Sequence, residues 1–226
     1  MNPDKAVRGL YVITPDGLSS DVLIARVAEA LEGGARLVQY RRKGLDGSVK
    51  VIEARLIADL CRARNALFIV NDDPRLAAEV GADGVHLGSD DGSVGLARAI
   101  LGGKAVVGVS CYDKLDLAVE AERCGADYVA FGSFFPSSVK PGAVRPPASL
   151  LSEARRVLSC PIVAIGGITL DRAAALVTAG ADALAVISDV FEASDVLFRA
   201  SAYARLFESV IDQNCQTQTG DHELTQ

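Results

Sequence analysis

The chain has 226 residues, 50% of them hydrophobic and 23% charged, which are the proportions of a compact globular protein and exclude a disordered or low-complexity chain. A net charge of −6 gives a field that repels nucleic acid, so an anionic ligand would need a local basic cluster. No segment approaches the ~18 consecutive apolar residues of a membrane span, and Met1 to Arg8 has no apolar signal core, so the sequence predicts a cytoplasmic protein without nucleic-acid or membrane partners.

The five cysteines (Cys61, Cys111, Cys124, Cys160 and Cys215) are odd in number and form no Cys-x-x-Cys pair, and they are predicted to be reduced thiols. Two histidines, His86 and His222, are too few for an ordinary structural zinc site, so any metal should be oxygen-bound.

In chain order, short β-branched runs alternate with segments of helical periodicity. Strands are predicted at Gly9 to Thr14, Arg36 to Arg41, Leu67 to Asn71, Gly84 to Leu87, Ala105 to Val109, Tyr128 to Phe131, Ile162 to Ile165 and Ala183 to Ile187. Helices are predicted at Asp21 to Glu32, Val49 to Arg64, Leu115 to Arg123, Leu150 to Leu158, Arg172 to Ala179 and Asp195 to Val210. Eight βα units in a chain of this length predict a single (β/α)8 TIM barrel, with a doubly wound open sheet as the alternative. Gly34-Ala35-Arg36, Gly81-Ala82-Asp83, Gly125-Ala126-Asp127 and Gly180-Ala181-Asp182 each end a helix and open an even-numbered strand, so one αβ turn is used four times. The catalytic domain is taken as residues 1–212, followed by a polar tail at 213–226 that is expected to fray.

Active sites of this fold form at the carboxyl ends of the strands. Strand two ends in Gln39-Tyr40-Arg41-Arg42-Lys43, where alternation sends Gln39, Arg41 and Lys43 to one side as an anion site, or else the run is simply a solvated charge cluster. Strand three ends in Asn71-Asp72-Asp73-Pro74, which serves equally as a helix cap. Strand four ends in His86-Leu87-Gly88-Ser89-Asp90-Asp91. Acidic residues on two neighbouring loops fit Mg²⁺, which takes one or two carboxylates and completes its octahedron with phosphate oxygens and water, though Asp91 also reads as a cap. His86 sits in an apolar stretch, where a histidine is more often a core residue than a catalyst. The long loop Gly132 to Pro141 carries Lys140 and has the length of a lid. Gly166-Gly167-Ile168-Thr169 and Val186-Ile187-Ser188 close strands seven and eight, the usual phosphate site of such barrels, although a tight turn explains the Gly-Gly pair equally well. These residues predict a pocket for two anionic groups, a metal-complexed diphosphate near strands two to four and a monophosphate near strands seven and eight.

Gln39 to Lys43, Asn71-Asp72-Asp73, His86-Leu87-Gly88 with Asp91, Gly108-Val109-Ser110, Pro136 to Lys140, Gly166 to Thr169 and Ile187-Ser188 together resemble the thiamine-phosphate synthase family over about Gly9 to Val190. The resemblance implies condensation of hydroxymethylpyrimidine diphosphate with thiazole phosphate, releasing pyrophosphate, with one Mg²⁺ ion as cofactor. It implies Asp72 and Asp91 as metal ligands. It further implies Gln39, Tyr40, Arg41, Arg42, Lys43, Asn71, Ser110 and Lys140 around the pyrimidine diphosphate, with Arg41, Lys43, Lys140 and Ser110 as the catalytic candidates. Ser137, Ser138, Val139, Gly167, Ile187 and Ser188 would hold the thiazole phosphate. Many family members carry threonines where this chain has Ser137 and Val139, and a glutamine where it has Ser89. Val139 lacks the hydroxyl and retains only its backbone groups.

The family's chemistry is dissociative: the electron-rich aminopyrimidine carries positive charge on its methylene as diphosphate leaves, and the thiazole nitrogen captures it. No nucleophile or general base is needed, so Cys111 is a bystander. The rival readings are a thiazole tautomerase, which lacks the acidic pair and has a histidine where this chain has Tyr112, and a non-catalytic binder of thiamine phosphate. A homo-oligomer is compatible with all three.

Overall fold

The computed structural model describes residues 6–136 and 145–220, with the side chains of 210–220 outside the description. Eight parallel strands close in chain order: β1 (Gly9–Ile13), β2 (Leu37–Tyr40), β3 (Leu67–Asn71), β4 (Gly84–Leu87), β5 (Val106–Tyr112), β6 (Tyr128–Gly132), β7 (Ile162–Ile165) and β8 (Ala183–Val186). Pairing of Tyr11 with both Leu37 and Ala185 seals the ring at β1. The helices are α1 (Ser20–Glu32), α2 (Gly47–Ala63), α3 (Pro74–Val80), α4 (Val94–Leu101), α5 (Leu115–Arg123), α6 (Ser149–Val157), α7 (Leu170–Thr178), α8 (Ser188–Phe191) and α9 (Val196–Gly220). The fold is thus the predicted (β/α)8 barrel, not the open sheet.

Alternation along each strand separates two apolar layers. Tyr11, Ile13, Leu37, Ile69, Val106, Tyr128, Val163 and Ala185 fill the barrel interior. Their neighbours Leu10, Val12, Val38, Tyr40, Phe68 and Val70 pack outward with helix residues such as Leu23, Val27, Ile57 and Leu76.

The repeated Gly-Ala-Asp turn has a specific structural use. Gly34, Gly81, Gly125 and Gly180 all take positive φ, between 65° and 118°, where a side chain would be strained. The aspartates then tie adjacent strands together at the bottom of the barrel. Asp83 accepts from Phe68 N–H at 2.9 Å, Asp127 from Val107 N–H at 2.7 Å, and Asp182 from Ile162 N–H at 2.7 Å. Arg98 bonds Asp127 at 2.8 Å, and Arg155 bonds Asp182. The turn is scaffold, on the face opposite the strand ends that carry the site.

Most element bounds differ from the sequence expectations by one or two residues, and the larger differences lie in β5, α8 and α9. Strand β5 runs on to Tyr112 because a register shift between Ser110 and Tyr112 lets it keep pairing with β6. The short helix α8 was not anticipated, and α9 is continuous to Gly220, past the Asp212 boundary. Among the described residues no helix is long and apolar enough to cross a membrane.

Candidate active site

Two adjoining cavities open at the carboxyl ends of the strands. The first, of about 160 Å³, lies over the barrel axis and is lined by Gln39, Arg41, Asn71, His86, Ser110 and Tyr112, with Tyr11 in its wall. The second, of about 430 Å³, lies over β7 and β8 and is lined by Gly166, Gly167, Thr169, Arg172, Ile187 and Ser188. They share Ile165, Gly166, Ala185 and Ile187, so groups bound in the two would meet across one short boundary.

The wall of the first cavity is a hydrogen-bond chain. Gln39 Nε2 donates to the Tyr11 hydroxyl at 2.8 Å, and the Tyr11 and Tyr128 hydroxyls are 2.8 Å apart. His86 Nδ1 lies 2.9 Å from the Tyr128 hydroxyl, and His86 Nε2 lies 2.9 Å from Ser110 Oγ. The His86 and Tyr128 rings stack with centroids 5.5 Å apart. Gly108 makes room for this stack, since a Cβ there would stand 2.0 Å from Tyr128 Cζ. Burial pushes the Tyr11 and Tyr128 hydroxyls well above the ordinary tyrosine range, so both stay neutral at physiological pH.

The rim carries the charge. Arg41 donates to Asp16 Oδ2 at 2.7 Å, while Asp16 Oδ1 accepts the Lys43 backbone N–H at 2.8 Å. Partial burial raises the Asp16 carboxyl, but the Lys43 N–H and the Arg41 guanidinium outweigh it and hold the group below its usual range.

Asp73, not Asp72, caps α3, accepting from Arg75 N–H and Leu76 N–H at 3.0 Å each. Ser93, not Asp91, caps α4. Both remaining acids are thereby released from helix duty. Asp72 takes the left-handed conformation at φ 65° and hydrogen-bonds the Asp91 carboxyl, which in turn accepts Gly88 N–H at 2.7 Å. Burial first, then the hydrogen bond and charge of Asp91, push Asp72 up to about 6. Two facing carboxylates need a proton or a cation between them, so the pair fits an oxygen-seeking divalent ion. No three His, Cys, Asp or Glu side chains converge as ligands among the described residues, so water and substrate oxygens would complete the shell.

Without metal, the raised Asp72 group favours folding below its unfolded value near 4, and that contribution is lost as pH rises through about 6. A divalent ion held by this pair would compete with the proton for the same oxygens, so its affinity should weaken as pH falls from 7.5 to 5.5. Calorimetric titration at the two pH values checks this; equal affinity would detach Asp72 from the ion.

Tyr40 and Arg42 do not join the site. Strand alternation turns both outward, where the buried Glu53 accepts from Tyr40 Oη at 2.9 Å and from Arg42 Nε at 2.8 Å, correcting their assignment to the pyrimidine diphosphate. Lys43 is exposed beyond the end of β2. Gly167, Ile187 and Ser188 line the second cavity. The Gly-Gly pair allows a close approach as well as a turn, since a Cβ on Gly167 would stand 2.2 Å from Pro136 O. Ser137, Ser138, Val139 and Lys140 lie outside the described residues.

The structure adds residues that the sequence reading passed over. Tyr11 and Tyr128 look like ordinary strand core, and only their need for a buried hydrogen-bond partner marks them. Asp16 lies in the unassigned loop after β1. Arg172, stacked on Phe135 with its guanidinium 4.9 Å from the ring centroid, supplies a cation to the second cavity.

Comparison with known proteins fits this geometry. Residues 10–190 match the sequence profile of the thiamine monophosphate synthase family. The chain belongs to that family. A thiamine-phosphate synthase of Azoarcus sp. (strain BH72) is 56% identical over 201 residues, covering 89% of this chain and 98% of the relative. One from Aromatoleum aromaticum is 51% identical over 207 residues, covering 92% and 100%. Among solved structures, thiamine phosphate pyrophosphorylase from Pyrococcus furiosus superposes with a TM-score of 0.82 at 34% identity, covering 93% of this chain and all of that one. Family membership places the synthase reading ahead of the tautomerase and binder readings.

Proposed function

We propose that the protein condenses hydroxymethylpyrimidine diphosphate with thiazole phosphate, forming thiamine phosphate and releasing pyrophosphate. The observation that carries this reading is the pair of adjoining cavities, one lined by Arg41 and Asn71, both of which interact with Asp72, the other lined by Gly167 and Ser188. A diphosphate ester in the first and a phosphate in the second would bring two substrates together at Ile165, Gly166 and Ile187.

Gln39 and Asn71 orient the pyrimidine, and Ser110 offers a hydroxyl beside it. Arg41, Lys43 and, by resemblance, Lys140 place fixed positive charge where the diphosphate departs. Asp72 and Asp91 would hold Mg²⁺, which would supply further positive charge against the leaving group. The methylene C–O bond breaks with its electron pair leaving on pyrophosphate. The thiazole nitrogen then gives its lone pair to the methylene carbon, which leaves the ring as a thiazolium without any proton transfer. The protein's contribution is orientation and preorganised charge.

Purified protein, stripped with chelator, is given both substrates with and without Mg²⁺, and thiamine phosphate is measured. The expected result is product only with metal. A folded protein that forms none in either condition overturns the reading, and equal yields in both remove the metal from it.

A further inference from the structure

The reaction above uses the two ends of the Gln39–Tyr11–Tyr128–His86–Ser110 chain but gives its middle no role. Gln39, Tyr11, Tyr128 and His86 are all at least nine-tenths buried, so the chain is a wired part of the cavity wall and not a rim exchanging with water. Each hydroxyl offers one proton, and a neutral imidazole carries its proton on one nitrogen or the other. The chain therefore has two self-consistent directions. With Gln39 Nε2 donating, as placed, Tyr11 donates to Tyr128, Tyr128 donates to His86 Nδ1, and His86 Nε2–H donates to Ser110 Oγ. Gln39 Oε1 then remains as an acceptor for a ligand, and the Ser110 proton remains as a donor. In the opposite direction Gln39 flips, every donor reverses, and Ser110 points its proton into His86 Nε2.

We propose that this chain couples recognition at Gln39 to the hydrogen-bonding sense of Ser110, making Tyr128 and His86 positioning residues that select an amine over a carbonyl on the bound ring. A ligand with an amine at the Gln39 end stabilises the first direction and leaves Ser110 donating toward an anionic oxygen of the same ligand. A carbonyl at that end demands the Gln39 amide as donor, which reverses the chain and withdraws the Ser110 proton. The inference rests on the aminopyrimidine diphosphate reading and adds to it a device by which the ring is checked before the leaving group is assisted. Burial holds both tyrosine hydroxyls in their protonated form, so Tyr11 and Tyr128 relay donor direction and carry no charge.

The test compares dissociation constants of the aminopyrimidine methyl diphosphate and its analogue with a carbonyl in place of the exocyclic amine, in Mg²⁺ and without thiazole phosphate. Intrinsic reactivity does not enter a binding ratio. Wild-type protein should prefer the amine by about 100-fold or more, as sites with buried polar partners do. Tyr128→Phe cuts the chain in its middle without changing ring shape, and its preference should fall at least about tenfold, because Tyr11 is freed to donate to a flipped Gln39. Tyr11→Phe should give the same loss and carries the test if Tyr128→Phe does not fold. An unchanged preference in either folded variant overturns the coupling, as does a wild type that binds both ligands equally. Product formation by wild-type protein is scored separately, so a failure of the coupling is distinguishable from a failure of the synthase reading.

Discussion

Asp72→Asn should lower kcat by about 10³-fold, a loss of roughly 4 kcal/mol of transition-state stabilisation, with the fold retained. Asparagine is the informative replacement because Asp72 sits at φ 65°, a conformation that Asn tolerates and alanine resists. Its volume is nearly the same, so the change removes the charge and turns one acceptor oxygen into an NH2 donor. The Asp91 carboxyl and its bond to Gly88 N–H stay in place, leaving a single acid where two faced each other. The variant should also lose the pH dependence of Mg²⁺ affinity between 7.5 and 5.5, because the group that holds a proton up to about 6 is gone. Steady-state kinetics, a thermal unfolding curve and a Mg²⁺ titration read the three effects. A folded Asp72→Asn protein within about tenfold of wild-type kcat would exclude Asp72 from the reacting centre.

What could be read from the sequence depended on whether a residue's job is local. The Gly-Ala-Asp turns were legible because a left-handed glycine after a helix is a backbone requirement, visible without knowing the neighbours. Gln39, Arg41, Asn71 and Ser110 were legible because strand ends of a barrel must surround one opening, and all four line the first cavity. Adjacent acids were harder: Asp72 and Asp73 are equally good caps on paper, and only the backbone decides that Asp73 turns to α3 while Asp72 turns to Asp91. Tyr40 and Arg42 obey the same period of two, which points Gln39 and Arg41 inward and these two outward toward Glu53. Tyr11 and Tyr128 were illegible because their meaning is a contact across 117 residues of chain.

The outward pair has the second large consequence. Glu53 is 1% exposed and accepts two bonds from Arg42 and one from Tyr40, so Glu53→Ala leaves a guanidinium buried without its counter-charge. Removing one partner of such a pair costs about 3–5 kcal/mol, which is a large share of the ~5–15 kcal/mol that holds a domain folded. Glu53→Leu combined with Arg42→Met should recover most of that loss, because an apolar pair of similar volume avoids the desolvation cost of both charges. Recovery of stability need not restore activity. Arg42 Nη2 also donates to Leu18 O at 2.8 Å, and the same loop carries Asp16, which holds the Arg41 side chain and the Lys43 N–H. The double variant should therefore fold yet show a raised KM for the diphosphate substrate with a smaller change for thiazole phosphate. Urea unfolding of Glu53→Leu, Arg42→Met and the double variant gives the coupling energy, and kinetics on the double variant gives the KM split. A loss below about 1 kcal/mol in Glu53→Ala would show that water reaches Arg42, and equal KM changes for both substrates would sever the path from Glu53 to Arg41.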